Sequence, residues 1–141
     1  MTDGRTMVRR NRTIPSAFSI DRDFPHQVAL LSDLCVDRNF RLLYDFCEAL
    51  GVPWHTRHVT AIWPNGKHEK HRLHCFAEEA SAAAFNMRFG GILFDPKQDR
   101  QRGVSQGPWL RNEPWQRVVR SGPLLVPLAL VDAEGPHSRL P

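Results

Sequence analysis

Residues 54–76 read WHTRHVTAIWPNGKHEKHRLHCF, and this stretch predicts the β-hairpin around which the rest of the chain is arranged. Residues 54–63 are rich in aromatic and β-branched side chains, which favour strands. Asn65-Gly66 favours the positive φ angles that both central residues of a tight two-residue hairpin turn require. We therefore predict one strand on each side of this turn, over 54–63 and 68–77.

Five of the seven histidines lie in this hairpin, between His55 and His74. Histidine binds metals, transfers protons near neutral pH and can carry positive charge toward an anionic partner. The spacings His55-x-x-His58 and His71-x-x-His74 resemble metal-ligand pairs, because on a helix both rings of a pair would share a face. On a strand the side chains alternate, so each pair is divided between two faces.

A two-residue turn also predicts the pairing, with Trp63 opposite His68 and His58 opposite Leu73. The first face then carries Thr56, His58, Thr60, Ile62, Glu69, His71, Leu73 and Cys75. The second face carries His55, Arg57, Val59, Ala61, Trp63, His68, Lys70, Arg72, His74 and Phe76. Neither set is a clean apolar core face.

The first predicted face permits a weak metal or catalytic site. His58 lies diagonal to both His71 and Cys75 and can share a metal or a proton with one of them. His71 and Cys75 are themselves about 13 Å apart along one strand, too far for both to bind one ion. Further ligands, Glu69 or His26, would be needed. We expect no metal and no cofactor, and keep a small histidine-dependent enzyme, with or without a metal, as an alternative.

The second predicted face favours nucleic acid. Arg57, Lys70 and Arg72 stand there among His55, His74 and Trp63, and cations beside aromatic rings suit phosphate contacts and base stacking. The arginines of the N-terminal segment, Arg9, Arg10 and Arg12, add to this charge. Our main hypothesis is a non-enzymatic binding module for RNA or another single strand. The competing interpretation is a solvated strand face with scattered charges.

The flanking sequence predicts the remaining elements. The apolar run at 28–31 indicates a strand, and Phe40, Leu43, Cys47 and Leu50 form a helical stripe that Gly51 ends. A second helix follows Glu78-Glu79 and ends at Gly90-Gly91, and residues 92–94 form a last strand.

The predicted order over 23–96 is strand, helix, strand, strand, helix, strand. This α+β arrangement resembles the split βαβ, ferredoxin-like sandwich, in which both helices cover one face of the sheet. The other face is then open, which suggests a homodimer or another partner as a second functional hypothesis. A hairpin packed on two helices without the edge strands is the alternative fold.

The two ends of the chain carry the positive charge. Residues 1–22 have a net charge of +3, residues 23–95 of −2 and residues 96–141 of +3. We predict a flexible basic arm over 1–22 and a Pro/Gly-rich extension over 97–141, partly docked, with a short helix at 114–120. Trp109 and Trp115 either dock on the domain or contact a partner, and we expect docking.

The compartment follows from the cysteines and the apolar segments. Cys35, Cys47 and Cys75 lack the CxxC spacing, so we predict buried, reduced thiols. No apolar stretch approaches the roughly 20 residues that a membrane helix needs, and no apolar core of a signal peptide follows the N-terminal arginines. We expect a cytoplasmic protein that is not embedded in a membrane.

Overall fold

The predicted hairpin lies in the middle of a five-stranded sheet. The computed structural model describes residues 16–99 and 107–131, a mixed α+β arrangement in which this sheet is accompanied by four α-helices. In chain order the elements are α1 (Ala17–Asp23), β1 (His26–Leu31), a short 3₁₀ helix (Ser32–Leu34), α2 (Asp37–Ala49), β2 (Trp54–Ile62), β3 (His68–Phe76), α3 (Glu79–Phe89), β4 (Ile92–Phe94), β5 (Trp109–Leu110) and α4 (Leu128–Val131).

The sheet has the order β4-β1-β3-β2-β5. The pairs β4-β1, β1-β3 and β3-β2 are antiparallel, whereas β5 adds to the outer edge of β2 in a parallel direction. All the strands and helices predicted between residues 26 and 94 are confirmed to within a few residues. Gly90 ends α3 as predicted, in the left-handed conformation and with its N–H bonded to Asn86 O.

The predicted turn is wrong by one residue. Of the two residues Asn65 and Gly66, only Gly66 has a positive φ, of 88°. The loop has three residues, 64–66. It is closed by the Trp63 N–H, which donates to Lys67 O at 2.9 Å, and by the Gly66 N–H, which donates to Trp63 O at 2.8 Å. The ring of Pro64 sets its φ to the value that the first central position of a type I turn needs. Gly66 then takes the left-handed position that completes a three-residue hairpin loop.

This one-residue shift changes which side chains share a face. In the observed register His58 is opposite Arg72, Thr60 is opposite Lys70, and His55 is opposite Cys75. Because side chains alternate along a strand, a slip of one residue moves every side chain of β2 to the other face relative to β3. Both predicted hairpin faces are therefore corrected below.

One face of the sheet, the helical face, is packed against α2 and α3. Its core includes Val28 and Leu30 of β1, Phe76 of β3, and Leu43, Cys47, Ala82, Phe85 and Phe89 of the two helices. The helical stripe predicted for α2 is only partly buried, since Leu43 and Cys47 are in the core whereas Phe40 is 40% exposed. All three cysteines are free and buried, as predicted.

The opposite face of the sheet is covered as well. Ile20 of α1 and Trp109 of β5 pack there on Val59, Leu73 and other sheet residues, with Trp115 at the margin. We call this the strap face, after the C-terminal strap, residues 107–131. The open face predicted for a homodimer is thus occupied by this chain's own segments. The strap then continues to the helical face, where Leu124 is buried and Asn39 of α2 bonds both Leu125 N (2.9 Å) and Leu125 O (2.7 Å).

Two predictions at the ends of the chain are wrong in part. Residues 17–22, assigned to a flexible arm, belong to α1, because Ile20 buries its side chain and Asp21 pairs with Arg57. Residues 114–120 form no helix, because this part of the strap is held in place by contacts to the sheet. The arginines Arg9, Arg10 and Arg12 lie outside the described residues.

Among residues 16–99 and 107–131, none of the helices has both the length and the apolar character needed to span a bilayer.

Candidate functional site

The observed register separates the residues predicted to bind nucleic acid. His55, Arg57 and Trp63 lie on the strap face, whereas Lys70, Arg72 and His74 lie on the helical face. Of these six, Lys70 is exposed and Arg72 is half-buried, and His74 is enclosed beneath α3. The six predicted contacts therefore do not form a single surface. Of them, only Lys70 and Arg72 are both accessible to solvent and on the same face.

Arg57 is held in an internal ion pair. Its Nε and Nη2 donate to the two carboxylate oxygens of Asp21 in α1, at 3.0 and 3.1 Å, and both side chains are largely buried. Gln27 Nε2 donates to the same carboxylate at 2.9 Å. His55 stands nearby, with its ring edge to face against Phe24. These groups fasten α1 to the strap face.

Trp63 belongs to a second set of contacts, which hold the strap against the sheet. The indole N–H of Trp63 donates to Glu69 Oε1, and the indole N–H of Trp115 donates to Glu69 Oε2, each at 2.8 Å. Arg111 lies between the rings of Trp63 and Trp109, with its guanidinium carbon 5.1 and 4.3 Å from their centroids. A carboxylate that accepts from two indoles ties the strap to β3.

The weak metal and catalytic site is not assembled. His58 is on the helical face, whereas His71, Cys75 and Glu69 are on the strap face. No group of three or more metal-ligating side chains occurs among the described residues. Burial raises the pKa of the Cys35 and Cys47 thiols to about 12 and also raises that of Cys75, so all three stay protonated near neutral pH.

A group of polar side chains lies together on the helical face, at the margin of the area that α2 and α3 cover, with His58, His68 and Lys70 exposed and Thr60 and Arg72 half-buried. Cross-strand pairing places His58 beside Arg72, Thr60 beside Lys70, and Ile62 beside His68. We call His58, Thr60, His68, Lys70 and Arg72 the basic patch. No hairpin side chain on this face is acidic. The patch can therefore receive an anion without repulsion from its own strands.

Aromatic rings of α2 adjoin the basic patch. Phe40 and Tyr44 are 40% and 38% exposed, and their rings stack with centroids 6.1 Å apart. The Arg72 guanidinium lies 5.6 Å from the Phe40 centroid, and Arg41 lies 5.7 Å from that of Tyr44. Tyr44 also meets Trp54 edge to face. We call Phe40 and Tyr44 the aromatic step.

Sequence reasoning missed the aromatic step because it counted Phe40 as a core residue. One signal was present: Phe40 and Tyr44 are four residues apart on a helix, next to Arg41, so that both rings share one face. Their position beside Arg72 depends on how α2 packs against β3.

His58 is tuned by its setting in the patch. Partial burial lowers its pKa below the ordinary value of 6.5, and the neighbouring charges of Arg72 and Lys70 lower it further. All three causes disfavour the imidazolium. The negative charge of a bound anion would offset the effect of the two cations, so the pKa of His58 is coupled to anion binding at the patch.

The chain matches no protein-family model, and neither a curated protein nor a solved structure is significantly similar to it. The geometry of the described residues is accordingly the basis for any functional proposal.

Proposed function

We propose that this protein is a non-enzymatic binding module for single-stranded nucleic acid, RNA or DNA, which it contacts through the basic patch and the aromatic step. The observation that carries the proposal is the hairpin register. It pairs His58 with Arg72 and Thr60 with Lys70 on the accessible part of the helical face. The same register removes Arg57, His55 and Trp63 from the proposed surface.

The chemistry of the two regions matches the two parts of a single strand. Lys70 and Arg72 supply donors for phosphate oxygens, and the Thr60 hydroxyl adds a neutral donor. Phe40 and Tyr44 stay 40% and 38% exposed beside the guanidiniums of Arg72 and Arg41, and unpaired bases can stack on this accessible part of the rings. Such a surface tolerates many sequences, because every base has an aromatic face and every nucleotide has a phosphate.

We also infer a ferredoxin-like unit for residues 26–94. The order β4-β1-β3-β2 with antiparallel neighbours supports it, as does the packing of α2 and α3 on one face. This inference concerns the fold alone, since folds of this kind host many activities.

The charge contribution is tested by a matched pair of double variants. K70A/R72Q removes two positive charges from the basic patch, whereas R88A/K97A removes two exposed charges at the end of α3 and after β4. The measurement is fluorescence anisotropy of a labelled 20-nucleotide poly-U strand at several salt concentrations. We expect K70A/R72Q to bind about tenfold more weakly and to lower the salt slope by roughly 1.4, that is 0.7 per phosphate contact.

The stacking contribution is tested separately with Y44L. This change removes an exposed ring but no charge, so we expect about tenfold weaker binding with an unchanged salt slope. Thermal unfolding of each variant checks that the fold is intact. If R88A/K97A loses as much affinity as K70A/R72Q, or if the intact protein binds poly-U independently of salt, the proposal fails.

A further inference from the structure

A cleft that is separate from the basic patch lies beneath the C-terminal strap. It is a cleft of about 600 Å³, within the roughly 300 to 1,000 Å³ typical of small-molecule sites. Its floor is apolar, formed by Ala29 and Leu31 of β1, Leu34 of the 3₁₀ helix and Ile92 of β4. Glu69 and His71 of β3 form one wall, and residues 116–120 of the strap form the roof. The basic patch is on the other face of the hairpin.

The strap is pinned on both sides of this roof. Before it, Trp115 donates its indole N–H to Glu69. After it, the Ser121 hydroxyl donates to Phe89 O at 2.7 Å, and Gly122 packs against the backbone carbonyl of Arg88. Residues 116–120 therefore bridge the cleft between two fixed points. The space is maintained by the fold of the described residues.

His71 supplies this wall with a hydrogen-bond acceptor, because its two ring nitrogens have distinct roles. It is buried, and its Nδ1 lies 3.3 Å from the backbone oxygen of Glu69. A carbonyl oxygen only accepts, so Nδ1 carries the hydrogen, and Nε2 is left as an acceptor. Burial, the largest influence, lowers the pKa of His71, which keeps this neutral form near neutral pH. Both Glu69 carboxylate oxygens already accept from indoles.

We propose that this cleft is a binding site for an uncharged, mainly apolar small molecule that carries a hydroxyl or N–H group and donates it to Nε2 of His71. The apolar floor provides the binding surface, and the acceptor orients the ligand. An uncharged ligand suits the apolar floor and the neutral His71, because a charged group would lose its hydration there. Apart from Glu69, the charged residues of the lining, Glu113, Arg117 and Arg120, are all exposed to solvent.

The experiment uses N-phenyl-1-naphthylamine as the probe, an uncharged aromatic amine with one N–H whose fluorescence increases in apolar sites. We expect saturable binding by the full chain. V118W places an indole in the roof of the cleft and should reduce binding at least tenfold. The matched control, L128W, adds the same side chain at a position that is 79% exposed and outside the cleft, and should bind like the unmodified protein.

Two further variants complete the test. V119W changes a more exposed residue of the same roof and should also weaken binding. It replaces V118W in the test if V118W fails to fold. H71F keeps an aromatic ring but removes the acceptor, and we expect binding about three- to tenfold weaker. The proposal is overturned if the probe does not saturate, if neither roof variant weakens it, or if H71F binds as the unmodified protein does.

Discussion

At the scale of single residues, His74 shows how burial can override the chemistry that a side chain suggests. It was a predicted nucleic-acid contact, yet it is 3% exposed, stacked on Phe85 with ring centroids 4.6 Å apart. Its Nδ1 is buried and has no hydrogen-bond partner among the described residues. Burial is the main reason that its pKa falls to about 3, with a smaller effect of Arg72.

This buried imidazole predicts a pH-dependent stability. The folded chain keeps His74 neutral down to pH about 3, whereas the unfolded chain binds this proton below its ordinary pKa of 6.5. The free energy of unfolding therefore falls as the pH is lowered through this window, by up to about 1.4 kcal/mol per pH unit from this group. In H74F, urea unfolding at about pH 7 and pH 5 should differ less than in the unmodified protein. An exposed-site control, H68Q, should retain the full difference, and equal differences in all three proteins would contradict the assignment.

At the scale of elements, the strap and α3 meet at Gly122, where the backbone conformation and the close contact exclude any side chain. Gly122 has φ 56°, and a Cβ there would collide with the backbone carbonyl of Arg88. Gly90 has a similar φ of 68°, but a Cβ there would meet nothing within 4 Å. The two glycines therefore separate backbone strain from steric exclusion.

We expect G90A to cost about 1 kcal/mol of unfolding free energy, the strain of a left-handed alanine. G122A should cost about 2 to 3 kcal/mol, because strain and collision act together. Since the collision loosens the strap, which carries Trp109 and Trp115, the tryptophan emission of the folded protein should also shift to longer wavelength in G122A alone. Urea unfolding followed by fluorescence measures both quantities. Equal costs for the two variants would mean that the strap does not approach α3 this closely.

At the scale of the whole molecule, the proposed binding surface links ligand binding to pH. Arg72 and Lys70 contribute to the lowered pKa of His58 in the free protein. A phosphate bound between them would raise that pKa, so the complex takes up protons and the affinity rises as the pH falls. We expect poly-U binding to strengthen about three- to tenfold from pH about 7.5 to about 5.5, and this change to be reduced in H58Q. Binding that weakens at the lower pH would exclude His58 from the surface.

The hairpin shows how far local sequence signals reach. Strand composition and the glycine at position 66 were sufficient to predict both strands and the place of the loop between them, because these signals depend on near neighbours. The register was not predictable in the same way. Whether Asn65-Gly66 or Pro64-Asn65 occupies the centre of the turn is a small local difference, but it moves all of β2 to the other face relative to β3.

By itself, the sequence determined the type and order of the elements between residues 26 and 94, the buried thiols and the location of the basic hairpin. Only the tertiary structure decided which cations are accessible. Arg57 is largely buried in its ion pair with Asp21 of α1, whereas Lys70 is exposed. The tertiary structure also decided that segments distant in sequence pack on both sheet faces, among them the strap, whose Leu125 is bonded by Asn39 of α2, 86 residues apart. Periodicity reports which side chains share a face, whereas burial depends on segments distant in sequence that the fold brings together.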